Sequence, residues 1–180
     1  GVWSRQSPTS RKKVLLRFAG LIEKNADYIA HLDSLDAGKP ITDCQQIDIP
    51  DVINTITWYA ESIDKLFDQI APTGPENLGL IIREPIGVVA AILPWNFPAL
   101  MMAWKIAPAL AAGNSVIVKP AEQSPLSAIY IAQLASEAGL ADGVFNVVPG
   151  LGEIAGKALG LSNDVDLAAF TGSTLAGKEF

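Results

Sequence analysis

Residues 87–102, GVVAAILPWNFPALMM, decide the fold. The apolar run up to Leu93 has the length and composition of a strand buried on both faces, as in a parallel sheet. Pro94 and Pro98 interrupt it, and the chain resumes as LMMAWKIAPALAAG, which reads as a helix closed by Gly113. A single amide, Asn96, stands between the two prolines in the most hydrophobic part of the chain.

The same alternation continues to the end of the sequence. SVIVKP reads as a strand, SPLSAIYIAQLASEAG as a helix, VFNVVPG as a strand and EIAGKALG as a helix. VDLAAFTGS then predicts a strand and TLAGKEF the start of a helix that runs to Phe180. Short β-rich runs alternating with amphipathic helices are the pattern of parallel βαβ units. The expected fold is therefore α/β: a Rossmann-like open parallel sheet with helices on both faces.

The preceding residues are patterned differently. Across 11–36, Val14, Phe18, Leu21, Ile22, Ile29 and Leu32 recur at helical spacing, and Gly38 with Pro40 supplies a stop. A second helix is predicted over 49–70, with Val52, Ile56, Tyr59, Ile63 and Phe67 on one face. The division is thus a helical region over 1–70, a Pro/Gly-rich connector over 71–79 and βα units over 80–180.

Composition removes several classes of function. Of 180 residues, 49% are hydrophobic, enough to build a core and too many for a disordered chain. Thirteen basic and nineteen acidic residues leave a net charge of −6, so nucleic acid is not an expected partner. The apolar run over 87–112 is interrupted by Asn96, Lys105 and three prolines, which argues against a membrane span. A single cysteine, Cys44, excludes an internal disulfide and makes a reducing cytoplasm the default compartment. The start at Gly1, with neither an initiator Met nor a signal-peptide pattern, reads as if cut from something longer.

Ligands of open α/β sheets collect outside the carboxyl ends of the strands. Those ends carry Pro94-Trp95-Asn96, Lys119-Pro120-Ala121-Glu122, Pro149-Gly150-Leu151-Gly152 and Thr171-Gly172-Ser173. Two of the turns, Gly150 to Gly156 and Gly172 to Gly177, join a strand to a helix and could offer free N–H groups to a pyrophosphate. Taken singly, each reads first as a tight βα turn that needs glycine for packing. Lys119 with Glu122 could hold the hydroxyls of a ribose, or could be a solvated charge pair at a helix entry.

Taken together, PWNFP, AGNSVIVKPAEQSPLSA, FNVVPG and FTGSTLAGK, in this order and spacing, closely resemble the aldehyde dehydrogenase superfamily. LDAGKPITD and WYAESIDK look most like its γ-glutamyl-aminobutyraldehyde and related aminoaldehyde members. The resemblance implies an incomplete aldehyde dehydrogenase fold that binds NAD, with Glu122 favouring it over NADP. It implies that Asn96 is the side-chain donor of an oxyanion hole, an amide aimed at the oxygen of an aldehyde substrate. It matches Lys119 and Glu122 to the adenine ribose, and Ile92, Leu93, Pro94 and Trp95 to the strand end along which the cofactor lies. Gly152 and Gly156 match the adenine side, Phe170, Thr171 and Gly172 the nicotinamide-side wall, Ser173 a pyrophosphate contact and Gly177 the closing glycine. Met101, Met102, Trp104 and Lys105 match part of the aldehyde tunnel.

In such relatives the nucleophilic cysteine and the catalytic glutamate follow the FTGST motif, beyond the last residue here, as does the rest of the catalytic domain. Cys44, in the helical region with no basic neighbour, is no substitute, and a lone histidine, His31, allows no His-dependent triad. The expectation is an oxidoreductase whose 180-residue portion alone does not oxidise aldehydes, exposes apolar surface and forms a homo-oligomer when full length. Alternatives are a non-catalytic NAD-binding module, a remnant that binds nothing, and an acyl-phosphate or semialdehyde reductase using NADPH.

Overall fold

A computed structural model describes residues 1–178. Ser7 starts the first helix, α1 (Pro8–Lys24): its Oγ accepts the Ser10 N–H at 3.2 Å, and proline occupies the first turn. One continuous helix was the expectation from residue 11 to 36, but the chain breaks at Asn25 and restarts as α2 (Ala26–Ala37). The Asn25 amide donates to Leu21 O at 2.8 Å while its Oδ1 accepts from Tyr130 at 2.8 Å, so a distant tyrosine holds the break. Gly38, at φ +66°, ends α2 in the left-handed conformation suited to glycine.

After α3 (Ile41–Asp43) and a π-helical turn over Cys44–Asp48 comes α4 (Ile49–Ser62), whose Ile49, Val52, Ile56 and Ala60 are buried. The predicted extension to residue 70 is corrected here. Beyond Ser62 the chain enters β1 (Gln69–Ala71), which pairs antiparallel with β2 (Gly79–Ile81), and Phe67 is 78% exposed. The Pro/Gly-rich connector over 71–79 is the turn of this ribbon. The backbone groups of β1 find partners eight to twelve residues onward, where a longer helix would have had no core for Phe67.

The remaining elements are β3 (Val88–Ile92), α5 (Pro98–Ala111), β4 (Ser115–Lys119), α6 (Leu126–Glu137) and β5 (Phe145–Val147). A π-helical turn over Gly152–Gly156 leads into α7 (Lys157–Leu161), β6 (Leu167–Phe170) and α8 (Thr174–Gly177). The predicted last helix is present over Thr174–Gly177, and Glu179 and Phe180 lie outside the described residues. The four strands β3 to β6 are parallel, in the order β5-β4-β3-β6, with Ile92 opposite both Lys119 and Phe170. From β5 the chain must cross to the other edge, so the strand order reverses between β3 and β6, where such sheets open a crevice.

Val89 and Ala91 of β3 and Val116 and Val118 of β4 alternate onto one face, against Met102, Ile106 and Leu110 of α5 and Ile131 of α6. Because α5 is covered by the sheet on one side and by α4 on the other, it is apolar nearly all round. Among the described residues no helix is long and apolar enough to cross a membrane; the apolar run over 87–112 is divided between β3 and α5. Large apolar side chains do remain exposed, notably Phe67, Ile70, Leu78, Leu80 and Ile82 around the ribbon.

Candidate functional site

Three strand ends are tied together before any side chain is considered. Leu93 N–H donates to Lys119 O at 3.1 Å, and Thr171 N–H donates to Ile92 O at 3.1 Å. The residues that follow these ties wall a cleft of about 1220 Å³. Ile92, Leu93, Pro94, Trp95 and Asn96 come into it from β3, and Lys119 and Glu122 from β4. Gly152 bounds it after β5, and Phe170, Thr171, Gly172 and Ser173 after β6.

Asn96 is exposed to the cleft and, among the described residues, makes no hydrogen bond. Its amide is therefore not consumed by the turn that carries it, as a purely structural asparagine would be. Lys119 is 3% exposed, and its Nζ donates to Glu122 Oε2 at 3.1 Å. The alternative of a solvated pair does not describe a lysine this deeply buried. Glu122 stays 44% exposed, and its own backbone N–H and Lys119 hold its carboxyl below the usual range. A buried ammonium and an open carboxylate offer a donor and acceptors side by side, the set that a vicinal diol requires.

The glycines divide into two kinds. Among the described residues a Cβ built on Gly152 would meet nothing within 4 Å, so this exposed position leaves open space where it lines the cleft. A Cβ on Gly172 would come within 2.5 Å of the Phe170 ring, and one on Gly177 within 3.2 Å. Packing against Phe170 accounts for these two. Gly156 is buried at the end of the π-helical turn, and neither it nor Gly177 lines the cleft. Ser173 uses its Oγ to cap α8, accepting the Ala176 N–H at 3.2 Å.

Of the residues matched to an aldehyde tunnel, Met101 lines the cleft, Met102 is fully buried in the core, and Trp104 is exposed. Lys105 donates to Thr171 Oγ1 at 2.6 Å, and burial lowers its pKa from the ordinary lysine value. Gln123, Glu153 and Lys157 also line the cleft, and sequence reading passed over them. Their only signal was position, directly after Glu122 or inside the Gly152–Gly156 turn and the helix it opens. Cys44 is buried, and burial together with Asp33 and Asp48 pushes its thiol up to about 11, the opposite of an activated nucleophile. His31 is exposed, with Nδ1 2.6 Å from Asp27 O.

A parallel sheet with this strand order and a cleft outside its carboxyl ends at the reversal point is the architecture of dinucleotide-binding α/β domains. The chain belongs to the aldehyde dehydrogenase family, whose model matches residues 1–180. It is 54% identical over 180 residues to an aminoacetaldehyde dehydrogenase of Pseudomonas aeruginosa, covering 100% of this chain and 36% of that protein. It is 56% identical over 179 residues to the NADP/NAD-dependent aldehyde dehydrogenase PuuC of Escherichia coli K12, covering 99% and 36%. An indole-3-acetaldehyde dehydrogenase solved with NAD+ superposes with a TM-score of 0.97 at 56% identity, again over 99% of this chain and 36% of the other. The chain thus spans about a third of the length of the relatives it matches.

Proposed function

We propose that these residues are the cofactor-binding portion of an enzyme that oxidises an aldehyde, with aminoaldehydes as the narrower class, to a carboxylic acid with NAD. The observation that carries this reading is the amide of Asn96, which among the described residues makes no hydrogen bond and lines the same cleft as Lys119 and Glu122. The open space at Gly152 and the paired donor and acceptors at Lys119 and Glu122 fit the adenosine half of a dinucleotide. Bound NAD would supply the hydride acceptor.

Asn96 donates a hydrogen bond to the aldehyde oxygen as negative charge develops there, and the rigid Pro94–Pro98 frame removes the cost of reorienting it during reaction. Lys119 and Glu122 bind the ribose, and the Glu122 carboxylate repels a 2′-phosphate, so NAD is preferred while NADP remains usable. The names of two relatives, an aminoacetaldehyde dehydrogenase and an NADP/NAD-dependent enzyme, support the substrate class and the tolerance of both cofactors. The nucleophilic cysteine and the glutamate that activates water come from family sequence beyond Phe180, so a polypeptide of these 180 residues alone does not turn over. We further read the whole enzyme as a cytoplasmic homo-oligomer, with the exposed apolar side chains around the ribbon as a surface available to a second subunit.

The test is Asn96→Ala in the full-length enzyme. A fall in kcat of about 100- to 1000-fold with NAD affinity retained is the expected result. A kcat within a few-fold of the parent would overturn the assignment of Asn96.

A further inference from the structure

The turn that carries Asn96 is anchored from two sides, and only one of them is the sheet. On the β3 side, Leu93 is fixed to Lys119 O. On the other side, α5 begins without a cap of its own. Phe97 occupies the N-cap position and has no side-chain acceptor, Pro98 has no N–H, and the first turn carries no acidic residue. The missing acceptor arrives from α2, where Asp33 Oδ2 accepts the Ala99 N–H at 3.2 Å across 66 residues of sequence. Asp33 is 1% exposed.

A second attachment comes from the loop after α2. Lys39 Nζ stands 3.6 Å from the centroid of the Phe97 ring and pairs with Asp48 Oδ2 at 2.5 Å. Ser34 Oγ donates to Lys39 O at 2.7 Å, and Gly38 in the left-handed region closes the loop, so the ammonium is held in place. Asp48 is also 1% exposed, and among the described residues one carboxylate oxygen on each of Asp33 and Asp48 is buried without a hydrogen bond. Two buried carboxylates against one ammonium are a poor means of stabilising a core, since apolar residues of similar volume often serve as well or better. What this cluster does accomplish is spatial, because its two contacts fall on Phe97 and Ala99, on either side of Pro98 and immediately after Asn96.

We propose that Asp33 and Lys39 are positioning residues that aim the Asn96 amide by clamping Phe97 and the first turn of α5. This rests on the reading of Asn96 as the donor to the aldehyde oxygen. Neither residue touches the cleft; both act through the backbone that carries Asn96.

The test is a double-mutant cycle in the full-length enzyme, reading kcat at saturating NAD and aldehyde for Asp33→Ala, Asn96→Ala and the pair, with NAD affinity as the check on folding. Misplacing a catalytic group by about 1 Å can cost on the order of 100-fold, so Asp33→Ala is expected to lower kcat by about 10- to 100-fold. Asp33→Asn, whose amide oxygen can still accept from Ala99, should recover most of it. In the Asn96→Ala background Asp33→Ala should have no further effect. Equal losses in both backgrounds, or an unchanged kcat in the single variant, would overturn the inference. An Asn96→Ala variant with full activity would instead overturn the reading on which it rests. Should Asp33→Ala fail to fold, the charge-neutral pair Lys39→Met with Asp48→Leu releases Phe97 while keeping the site packed, and the same cycle is run with it. Additivity of that pair with Asn96→Ala would equally refute the clamp.

Discussion

Lys105 of α5 donates to Thr171 Oγ1 at 2.6 Å, joining the helix that follows the Asn96 turn to the end of β6 on the far side of the cleft. Among the described residues no carboxylate pairs with this lysine, and burial alone lowers its pKa. In the pH range just below 10.5 the unfolded chain therefore binds more protons than the folded one, and stability rises with pH there. Lys105→Met should abolish that rise. Thr171→Val should cost about 1–3 kcal/mol, because it leaves a half-buried ammonium without its acceptor. Denaturant unfolding across the alkaline range measures both, and a slope identical in Lys105→Met and the parent would refute the account.

Glu122 is the second place where a single charge is expected to matter. Its carboxylate holds Lys119 and faces the cleft. On the proposed reading, Glu122→Ala takes away an acceptor for the ribose and the repulsion of a 2′-phosphate. NAD affinity should fall by about 10- to 100-fold, the equivalent of a charged hydrogen bond of about 1.5–3 kcal/mol, while NADP loses less. Calorimetric titration of the full-length enzyme with each cofactor gives the two constants. An unchanged NADP-to-NAD ratio would separate Glu122 from cofactor choice.

The four strands of the parallel sheet, their order of appearance and the clustering of Asn96, Lys119, Glu122 and Thr171 at one edge were legible because parallel strands are unbroken apolar runs ending in turn residues. Where the reading failed, partners distant in sequence had decided the outcome. The break at Asn25 is held by Tyr130, 105 residues away, so apolar periodicity carried the prediction straight through it. Phe67 follows Ile63 at helical spacing, yet the pairing of Gln69–Ala71 with Gly79–Ile81 takes the chain out of the helix. The spacing of Gly172 and Gly177 left a phosphate turn and a packing turn both open; a Cβ on either would crowd the Phe170 ring, while Gly172 also lines the cleft. Asp33 sits four residues after Ile29 on the buried face of α2; a carboxylate at an apolar position was its one signal.

Asp33 also makes stability depend on pH. Burial pushes its carboxyl up to about 6, with Asp48 and Asp36 adding to the push and Ser127 and the Ala99 N–H opposing it. Between its ordinary pKa of 3.8 and about 6 the folded chain binds more protons than the unfolded one. The stability this contributes is fully present below the ordinary value and is lost as pH rises through about 6, a change on the order of 3 kcal/mol. Asp33→Asn should flatten the dependence over that interval, seen as a smaller difference in unfolding free energy between about pH 4 and about pH 7. Retention of the parent's full difference would assign the titration to another group.

Alanine at Gly152 and at Gly172 should separate a glycine kept bare for a ligand from one kept bare for a neighbour. At Gly152 a methyl meets nothing within 4 Å, so Gly152→Ala should leave stability within about 0.5 kcal/mol of the parent. The same methyl projects where Gly152 lines the cleft, and NAD should bind about tenfold or more weakly, a loss of about 1.4 kcal/mol or more. Gly172→Ala would bring its methyl within 2.5 Å of the Phe170 ring, which must then shift; overpacking of this kind costs about 1–3 kcal/mol. Gly177→Ala, at 3.2 Å from the same ring, should fall between the two in stability. Thermal unfolding with and without NAD ranks all three. If Gly152→Ala loses stability while its NAD affinity holds, that glycine serves the turn, and the adenosine end of the cofactor must lie elsewhere.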